Sequence, residues 1–291
     1  MTDPDSIRPT IADCLARSRE LRDSDSPRLD VELLLARVLE RDRAYLFTWP
    51  ERQLSIAQQR AFEHLLQLRL EGHPIAHLLQ QREFWGLELE VDASTLIPRP
   101  DTELLVDISL KLDLPRNSRV LDLGTGTGAI ALALAAERSQ WLVLGVDRSL
   151  AAVELAERNR KRLGLVNVSL RCSDWFAAIE RRDFNLIVSN PPYVAADDPH
   201  LSAGDLRFEP RSALVAGADG LDDLRSIIAK SQQFLAPGGW LLLEHGYDQA
   251  EAVRELLRGA GLGAIATHRD LGGQPRVSLG QVVLKERVCD E

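Results

Sequence analysis

Val120-Leu121-Asp122-Leu123-Gly124-Thr125-Gly126-Thr127-Gly128 is a strand-forming run that stops in a glycine-rich turn, and Ala129-Ile130-Ala131-Leu132 continues it as a helix. A strand, a glycine turn and a helix in that order form the first unit of an open parallel sheet. In such sheets ligands bind outside the carboxyl ends of the strands, near the point where strand order reverses. Glycines there let a ligand approach the backbone closely. Asp147 ends the next expected strand, about twenty residues on, where a carboxylate can take both hydroxyls of a ribose. NAD enzymes and S-adenosylmethionine enzymes share this pairing. The G-x-G-x-G spacing departs from the dinucleotide form G-x-G-x-x-G, and S-adenosylmethionine has no pyrophosphate to seat on a helix N-terminus. Its charged methionine tail would lie against the turn instead.

Outward from this turn, strands and helices alternate, which implies a parallel sheet covered by helices on both faces. Strands are expected at 120–123, 142–146, 168–171, 184–189, 240–244, 264–268 and 277–284, with helices at 129–137, 149–163, 221–236 and 248–259. No helix separates the last two strands, which are joined across Asp270-Leu271-Gly272-Gly273-Gln274-Pro275, so they should pair antiparallel. Residues 1–82 read as a helical domain. Ile7, Ile11, Cys14 and Leu15 share one face, and Ser26-Pro27 supplies an N-cap and a first-turn proline ahead of Leu29, Leu33, Leu34, Val38 and Leu39. Ser55 and Gln58 form a capping box before Phe62, Leu65, Leu66 and Leu70, and Gly72 ends that helix. Residues 83–98 read as a β-hairpin linker, with alternation over 84–91, a turn at Asp92-Ala93-Ser94 and a second strand from Thr95. The sheet domain then occupies 99–291, opening with Pro98-Arg99-Pro100-Asp101-Thr102-Glu103 and a helix over 104–112. Arg99, braced by prolines at this junction, is either a surface charge or a wall of the site.

The second chemical signal is Asn190-Pro191-Pro192-Tyr193, which follows the apolar run Phe184-Asn185-Leu186-Ile187-Val188-Ser189. Two prolines stop the strand and stiffen its exit, since each fixes φ and lacks an N–H. The carbonyls of Asn190 and Pro191 then accept hydrogen bonds, beside an amide side chain that accepts and donates and the aromatic face of Tyr193. Together these make a receptor for a planar NH2 group. Methylation of a conjugated nitrogen needs such a receptor, because a delocalised lone pair must be aimed at an electrophilic methyl. The plainer reading is a turn after a strand, with Tyr193 as packing. Ser173-Asp174-Trp175-Phe176 closes the third strand, where Asp174 could accept from an adenine amine and Trp175 could cover its ring or pack in the core. His245 reads as a packed strand-end histidine rather than a catalyst.

Composition removes other classes. The chain of 291 residues has 35 Lys and Arg against 44 Asp and Glu, a net charge of −9, which argues against gripping long stretches of nucleic-acid phosphate. It has no run of eighteen apolar residues to span a membrane, and its acidic N-terminus lacks a signal core. Cys14, Cys172 and Cys289 form neither a metal spacing nor a disulfide framework. A reducing cytoplasm is expected, without a metal.

These residues resemble the release-factor glutamine N(5)-methyltransferases (the PrmC/HemK family) over nearly the whole chain. The matches are Arg82-Glu83-Phe84-Trp85-Gly86, Leu96-Ile97-Pro98-Arg99-Pro100-Asp101-Thr102-Glu103, Asp122 to Gly128, Asn190 to Tyr193, and Phe208-Glu209-Pro210 with Ala213-Leu214. The glycine turn and the tetrapeptide are common to many methyltransferases; the proline-rich linker is narrower. The resemblance implies a seven-stranded doubly wound S-adenosylmethionine-dependent methyltransferase sheet, α/β in class, preceded by a small helical bundle. It implies a monomeric enzyme whose substrate is the glutamine of the Gly-Gly-Gln motif in peptide-chain release factors, docked in part by the helical domain. Cofactor contacts would fall on Gly124, Thr125, Gly126, Thr127, Gly128, Asp147, Asp174, Trp175 and Asn190. The glutamine would meet Asn190, Pro191, Pro192, Tyr193 and Arg99, with Asn190, Pro191 and Tyr193 carrying the catalysis. Two positions depart from the family pattern: His77 and Gln80 stand where a tyrosine and a glycine are expected. A DNA or RNA base methyltransferase would use the same tetrapeptide but wants a basic or aromatic insertion to hold a flipped base. A dinucleotide oxidoreductase is disfavoured by the glycine spacing. A non-enzymatic binding protein is disfavoured by an intact tetrapeptide beside an intact cofactor turn. Gly272-Gly273-Gln274 spells the substrate tripeptide within the chain itself, but its place in a strand connection explains its glycines.

Overall fold

A computed structural model describes residues 8–202 and 204–283; Ile7, Leu284 and Cys289, each singled out above, lie outside them. The chain divides into two compact units. One runs to Gln81 and also takes in Gly204–Phe208, and the other holds the remainder.

The first unit comprises α1 (Ile11–Ala16), α2 (Pro27–Leu39), α3 (Arg43–Thr48), α4 (Ile56–Leu70) and α5 (Ile75–Leu79). Leu34, Leu35, Leu46, Leu54, Phe62 and Leu66 are its buried centre. The Ser55–Gln58 capping box forms in both directions. Ser26 behaves differently from expectation: it sits at the N-cap of α2 with Pro27 in the first turn, but its side chain does not cap. It donates instead to the buried Asp30, which also accepts from Arg69 Nε at 2.7 Å, a bond that ties α2 to α4. Gln80 closes α5 at φ +56°, a left-handed position that favours glycine. The departure at Gln80 therefore falls where backbone geometry penalises any side chain. In the segment 204–208, Arg207 donates to the Glu71 carbonyl at 2.6 Å and the Phe208 ring lies tilted against His73, with centroids 4.3 Å apart.

The second unit begins at Arg82, inside the hairpin of β1 (Gln81–Phe84) and β2 (Leu87–Glu90). Its turn is at Trp85-Gly86, not at 92–94, and no strand forms at Thr95. Both turn residues have positive φ, +53° and +71°, as a two-residue type I′ turn requires. Trp85 is held in this unusual conformation by Glu103, which accepts from its N–H at 3.0 Å, and by Glu137, which accepts from the indole at 2.9 Å. The alternation over 84–91 is the sum of two strand faces, which is why it reads as one strand.

Then come α6 (Glu103–Lys111), β3 (Arg119–Leu123), α7 (Ala129–Glu137), β4 (Leu142–Asp147), α8 (Leu150–Arg162), β5 (Val168–Cys172), β6 (Phe184–Ser189), α9 (Asp222–Ser231), β7 (Leu235–Glu244), α10 (Ala250–Gly259), β8 (Leu262–Arg269) and β9 (Pro275–Val282). The sheet order is β5-β4-β3-β6-β7-β9-β8, parallel except for β9, which is antiparallel to both β7 and β8. Alternate strand residues serve opposite faces. Val120, Leu186 and Val188 meet α6 and α7, whereas Leu121, Ile187, Leu241 and Leu243 meet α9 and α10. Truncating a side chain such as Leu257, which is fully buried, would cost about 2–5 kcal/mol. The helix expected over 221–236 stops at Ser231 because β7 starts early, with Leu235 paired to Phe184. Among the described residues no helix is long and apolar enough to cross a membrane.

Candidate active site

Strand order reverses between β3 and β6, and their register places the site. Leu123 lies opposite both Val146 and Ser189, so Gly124, Asp147 and Asn190 are the next residues at three adjacent strand ends. Ser189 Oγ donates to the Leu123 carbonyl at 2.6 Å, which locks the two central strands together at that level. Asp147 pairs with Cys172, bringing Asp174 and Trp175 to the same rim. A single cleft is lined by Gly124 to Thr127, Asp147, Asp174, Trp175, Asn190, Pro192 and Arg99.

The turn has a clear physical basis. The N–H groups of Gly124 and Thr125 both donate to the Val146 carbonyl at 2.9 Å, and that of Gly128 donates to the Thr125 carbonyl. Thr125 Oγ1 donates to Asp122 at 2.6 Å. Burial pushes the Asp122 carboxyl up to about 7, with Asp147 adding to the rise and Thr125 opposing it. Gly124 has φ +72°, and a Cβ there would lie 3.3 Å from the Trp175 ring. Gly128 has φ +87°, and its Cβ would meet Leu132 at 2.9 Å. Asn159, fully buried on α8, donates at 3.0 Å to the carbonyls of Thr127 and Glu90. It thereby staples the turn to β2.

Asp147 accepts from the N–H of Gly126 at 3.0 Å through Oδ2 and from that of Ser149 at 2.9 Å through Oδ1. Each carboxylate oxygen keeps a second lone pair, so the oriented group can still accept from two hydroxyls. Trp175 lies at φ +47°, a strained conformation for a bulky residue that persists where surroundings impose it. Its side chain lies by Asp223, whose carboxyl burial raises while the indole opposes the rise. Thr95 Oγ1, in the cleft wall, is buried and makes no hydrogen bond among the described residues. A carboxylate with spare acceptor capacity, an aromatic face over a glycine without a side chain, and an unused hydroxyl suit a nucleoside bearing a charged amino-acid tail. The residues fit S-adenosylmethionine.

On the other flank, Asn190 Nδ2 donates to Thr102 Oγ1 at 3.0 Å. Arg99 donates to Glu209 at 2.8 Å; the Glu209 side chain is fully buried, and its Oε1 also accepts weakly from the Ile97 N–H at 3.4 Å. Tyr193 is not in the cleft lining. Its ring packs against the apolar cluster under α9 and α10, and its hydroxyl donates to Glu244 Oε1 at 3.2 Å. Burial raises the Tyr193 pKa. Pro191 is buried and Gly128 caps α7; neither lines the cleft. His245 is fully buried. Its Nδ1 lies 2.8 Å from the Gly246 carbonyl, so Nδ1 carries the proton, and Nε2 accepts from Ser278 at 2.8 Å.

Sequence reasoning passed over Asn159 and Asp223 and quoted Thr102, Glu209 and Glu244 without a role. Glu244 did leave a signal, a carboxylate ending the apolar run Trp240-Leu241-Leu242-Leu243.

A family described as "Methyltransferase small domain" matches residues 100–209, and one described as "PrmC N-terminal domain" matches residues 16–79. The release factor glutamine methyltransferase of Pseudomonas aeruginosa is 56% identical over 267 residues, covering 92% of this chain and 97% of that protein. The protein of the same name from Salmonella typhimurium is 53% identical over 262 residues, covering 90% of this chain and 95% of its own length. The crystal structure of a methyltransferase from Pyrococcus furiosus superposes with a TM-score of 0.53 at 19% identity, covering 76% of this chain and 100% of that one. This last likeness concerns the fold alone.

Proposed function

The chain belongs to the release factor glutamine methyltransferases, and from that membership we propose that it methylates the side-chain amide nitrogen of the glutamine in the Gly-Gly-Gln motif of peptide-chain release factors. Its methyl donor is S-adenosylmethionine, which when bound supplies an electrophilic methyl group on a sulfonium. Gly124 to Thr127 would receive the amino-acid tail, Asp147 the ribose, and Asp174 with Trp175 the adenine. Asn190 Oδ1 accepts a hydrogen of the substrate amide and fixes its plane; the Pro191 carbonyl, expected to take the second, belongs to a residue outside the cleft lining. Pro192 and Arg99 bound the pocket, and Tyr193 braces the tetrapeptide from the core side. So held, the amide nitrogen forms its new bond to carbon as the carbon–sulfur bond breaks, and its surplus proton leaves to solvent. Orientation supplies the rate, without a strong base.

The observation that carries this reading is that Asn190 lines the same cleft as the glycine turn and Asp147. In this reading the chain acts in the cytoplasm as a monomer on a protein partner, with the helical unit as a docking element and no stable hold on nucleic acid or membrane. The test offers methyl-labelled S-adenosylmethionine with a release factor, DNA and tRNA in parallel, followed by mass-spectrometric mapping. Label is expected on the Gly-Gly-Gln glutamine. Label in nucleic acid, or at another release-factor residue, would sink the assignment.

A further inference from the structure

In β6 and β7, Ser189 lies opposite Leu243, so Asn190 and Glu244 occupy matching positions at neighbouring strand ends. Glu244 is 1% exposed. Its Oε1 accepts from the Tyr193 hydroxyl, Oε2 is buried with no hydrogen-bond partner among the described residues, and the Thr102 hydroxyl lies near enough to lower its pKa. Thr102 Oγ1 in turn accepts from Asn190 Nδ2. We propose that Glu244, acting through Thr102, is a positioning residue that sets which end of the Asn190 amide faces the substrate. The proposal rests on the reading above, in which Asn190 Oδ1 is the substrate's acceptor.

The reasoning is one of hydrogen-bond polarity. An ionised carboxylate only accepts, and a hydroxyl has a single hydrogen to give. With Glu244 ionised, Thr102 and Tyr193 both turn their hydrogens to it, and Thr102 offers Asn190 nothing but lone pairs. An amide NH2 can face a lone pair and an amide oxygen cannot. Asn190 Nδ2 is therefore held toward Thr102, and Oδ1 is left to take a substrate hydrogen. Remove the acceptor, and Thr102 can donate to Asn190 instead. The reversed amide presents NH2 to an NH2, which cannot bind it.

Protonation should loosen the same constraint, because a carboxylic acid has its own hydrogen to place. The titratable and charged groups facing Glu244 are the neutral Tyr193 beyond β6, Arg276 on β9 and Asp101 ahead of α6. Asp270 pairs with Arg276 at 3.2 Å, and Arg99 acts on Tyr193. Burial outweighs the pull of Thr102, Tyr193 and Arg276 and pushes Glu244 up to about 7. Turnover should accordingly rise with pH through about 7.

The experiment uses the full chain with saturating release factor, measuring kcat and, separately, equilibrium binding of S-adenosylmethionine. Thr102→Val should lower kcat about tenfold or more, the scale of one hydrogen bond, while cofactor affinity stays within about threefold. Thr102→Ser should recover most of the loss. Glu244→Gln should lower kcat and abolish the rise near pH 7. Should Glu244→Gln fail to fold, the Thr102 pair decides. Wild-type kcat in Thr102→Val, or Thr102→Ser no better than Thr102→Val, overturns the proposal; so does an unchanged pH rise in Glu244→Gln. Asn190→Ala separates the two levels. If it abolishes turnover while Thr102→Val does not, the positioning role alone falls; if it turns over normally, the reading of the site falls with it.

Discussion

On the β3–β4 flank of the cleft the working groups are mostly backbone. Gly124, Thr125 and Gly128 are held by main-chain bonds, and the one side chain that must be aimed, Asp147, is aimed by the N–H groups of Gly126 and Ser149. On the β6–β7 flank the working groups are side chains from three separate stretches: Thr102, the pair Asn190 and Tyr193, and Glu244, with Arg276 behind them. Backbone held by strand register is insensitive to any one side chain. A chain of hydroxyls, amide and carboxylate fails if any member changes, because each leaves a partner unsatisfied in a buried place. The first flank suits binding, and the second suits orientation.

The sharpest way to break this contrast is a crossed pair of substitutions. Asn190→Ala should lower turnover about a hundredfold or more, by analogy with the loss of one preorganised polar group, with cofactor binding little changed. Asp147→Ala should do the reverse. Ligand at about 100 times its dissociation constant stabilises a fold by about 2.7 kcal/mol, and a tenfold loss of affinity would remove roughly half of that. Melting curves with S-adenosylmethionine and with NAD check this; an equal shift with NAD would overturn the cofactor assignment. If Asn190→Ala weakens the cofactor as much as it slows turnover, the two flanks are not separate.

The next test uses acidity. The Glu244 carboxyl lies at about 7 in the fold against an ordinary 4.5. It ionises more easily when unfolded, so its contribution to stability is fullest below about pH 4.5 and is lost as pH rises through about 7. The stability of the wild type relative to Glu244→Gln should fall across that window and level off above it. A difference flat from pH 5 to 8, measured by denaturant unfolding, would mean that Glu244 is ionised throughout. Asp122 shares the direction and is unaltered by the substitution, so it cancels in the comparison.

The smallest effect is expected from Tyr193→Phe. It keeps the ring in its cluster and removes one donor to Glu244, which should cost about 1 kcal/mol and move the pH-dependent rise in turnover upward. Tyr193→Ala, which also empties the packing, should be far worse. Equal damage from both would place the whole role of Tyr193 in its hydroxyl.

Much of the fold was legible because its signals are local. The strand at 184–189 and the helix at 129–137 match the elements found, as does the closing antiparallel pair, since apolar runs and glycine breaks sit within a few residues of one another. The hairpin turn was misplaced because Trp85 carries no turn chemistry of its own; Glu103 and Glu137, distant in sequence, hold it there. The end of α9 was misplaced because Phe184 recruits Leu235 into the sheet. In the site, Gly124 to Gly128, Asp147 and Asn190 announce themselves, since φ beyond the reach of side chains and a proline-stiffened strand exit are properties of short peptides. The sequence by itself determined which residues could bind and which amide could orient a substrate. Tertiary structure alone decided that Tyr193 faces Glu244 rather than the cleft, and that Thr102 accepts from the Asn190 amide. Burial, strand register and the direction of a shared hydrogen bond are relations between distant residues, and no stretch of the chain carries them alone.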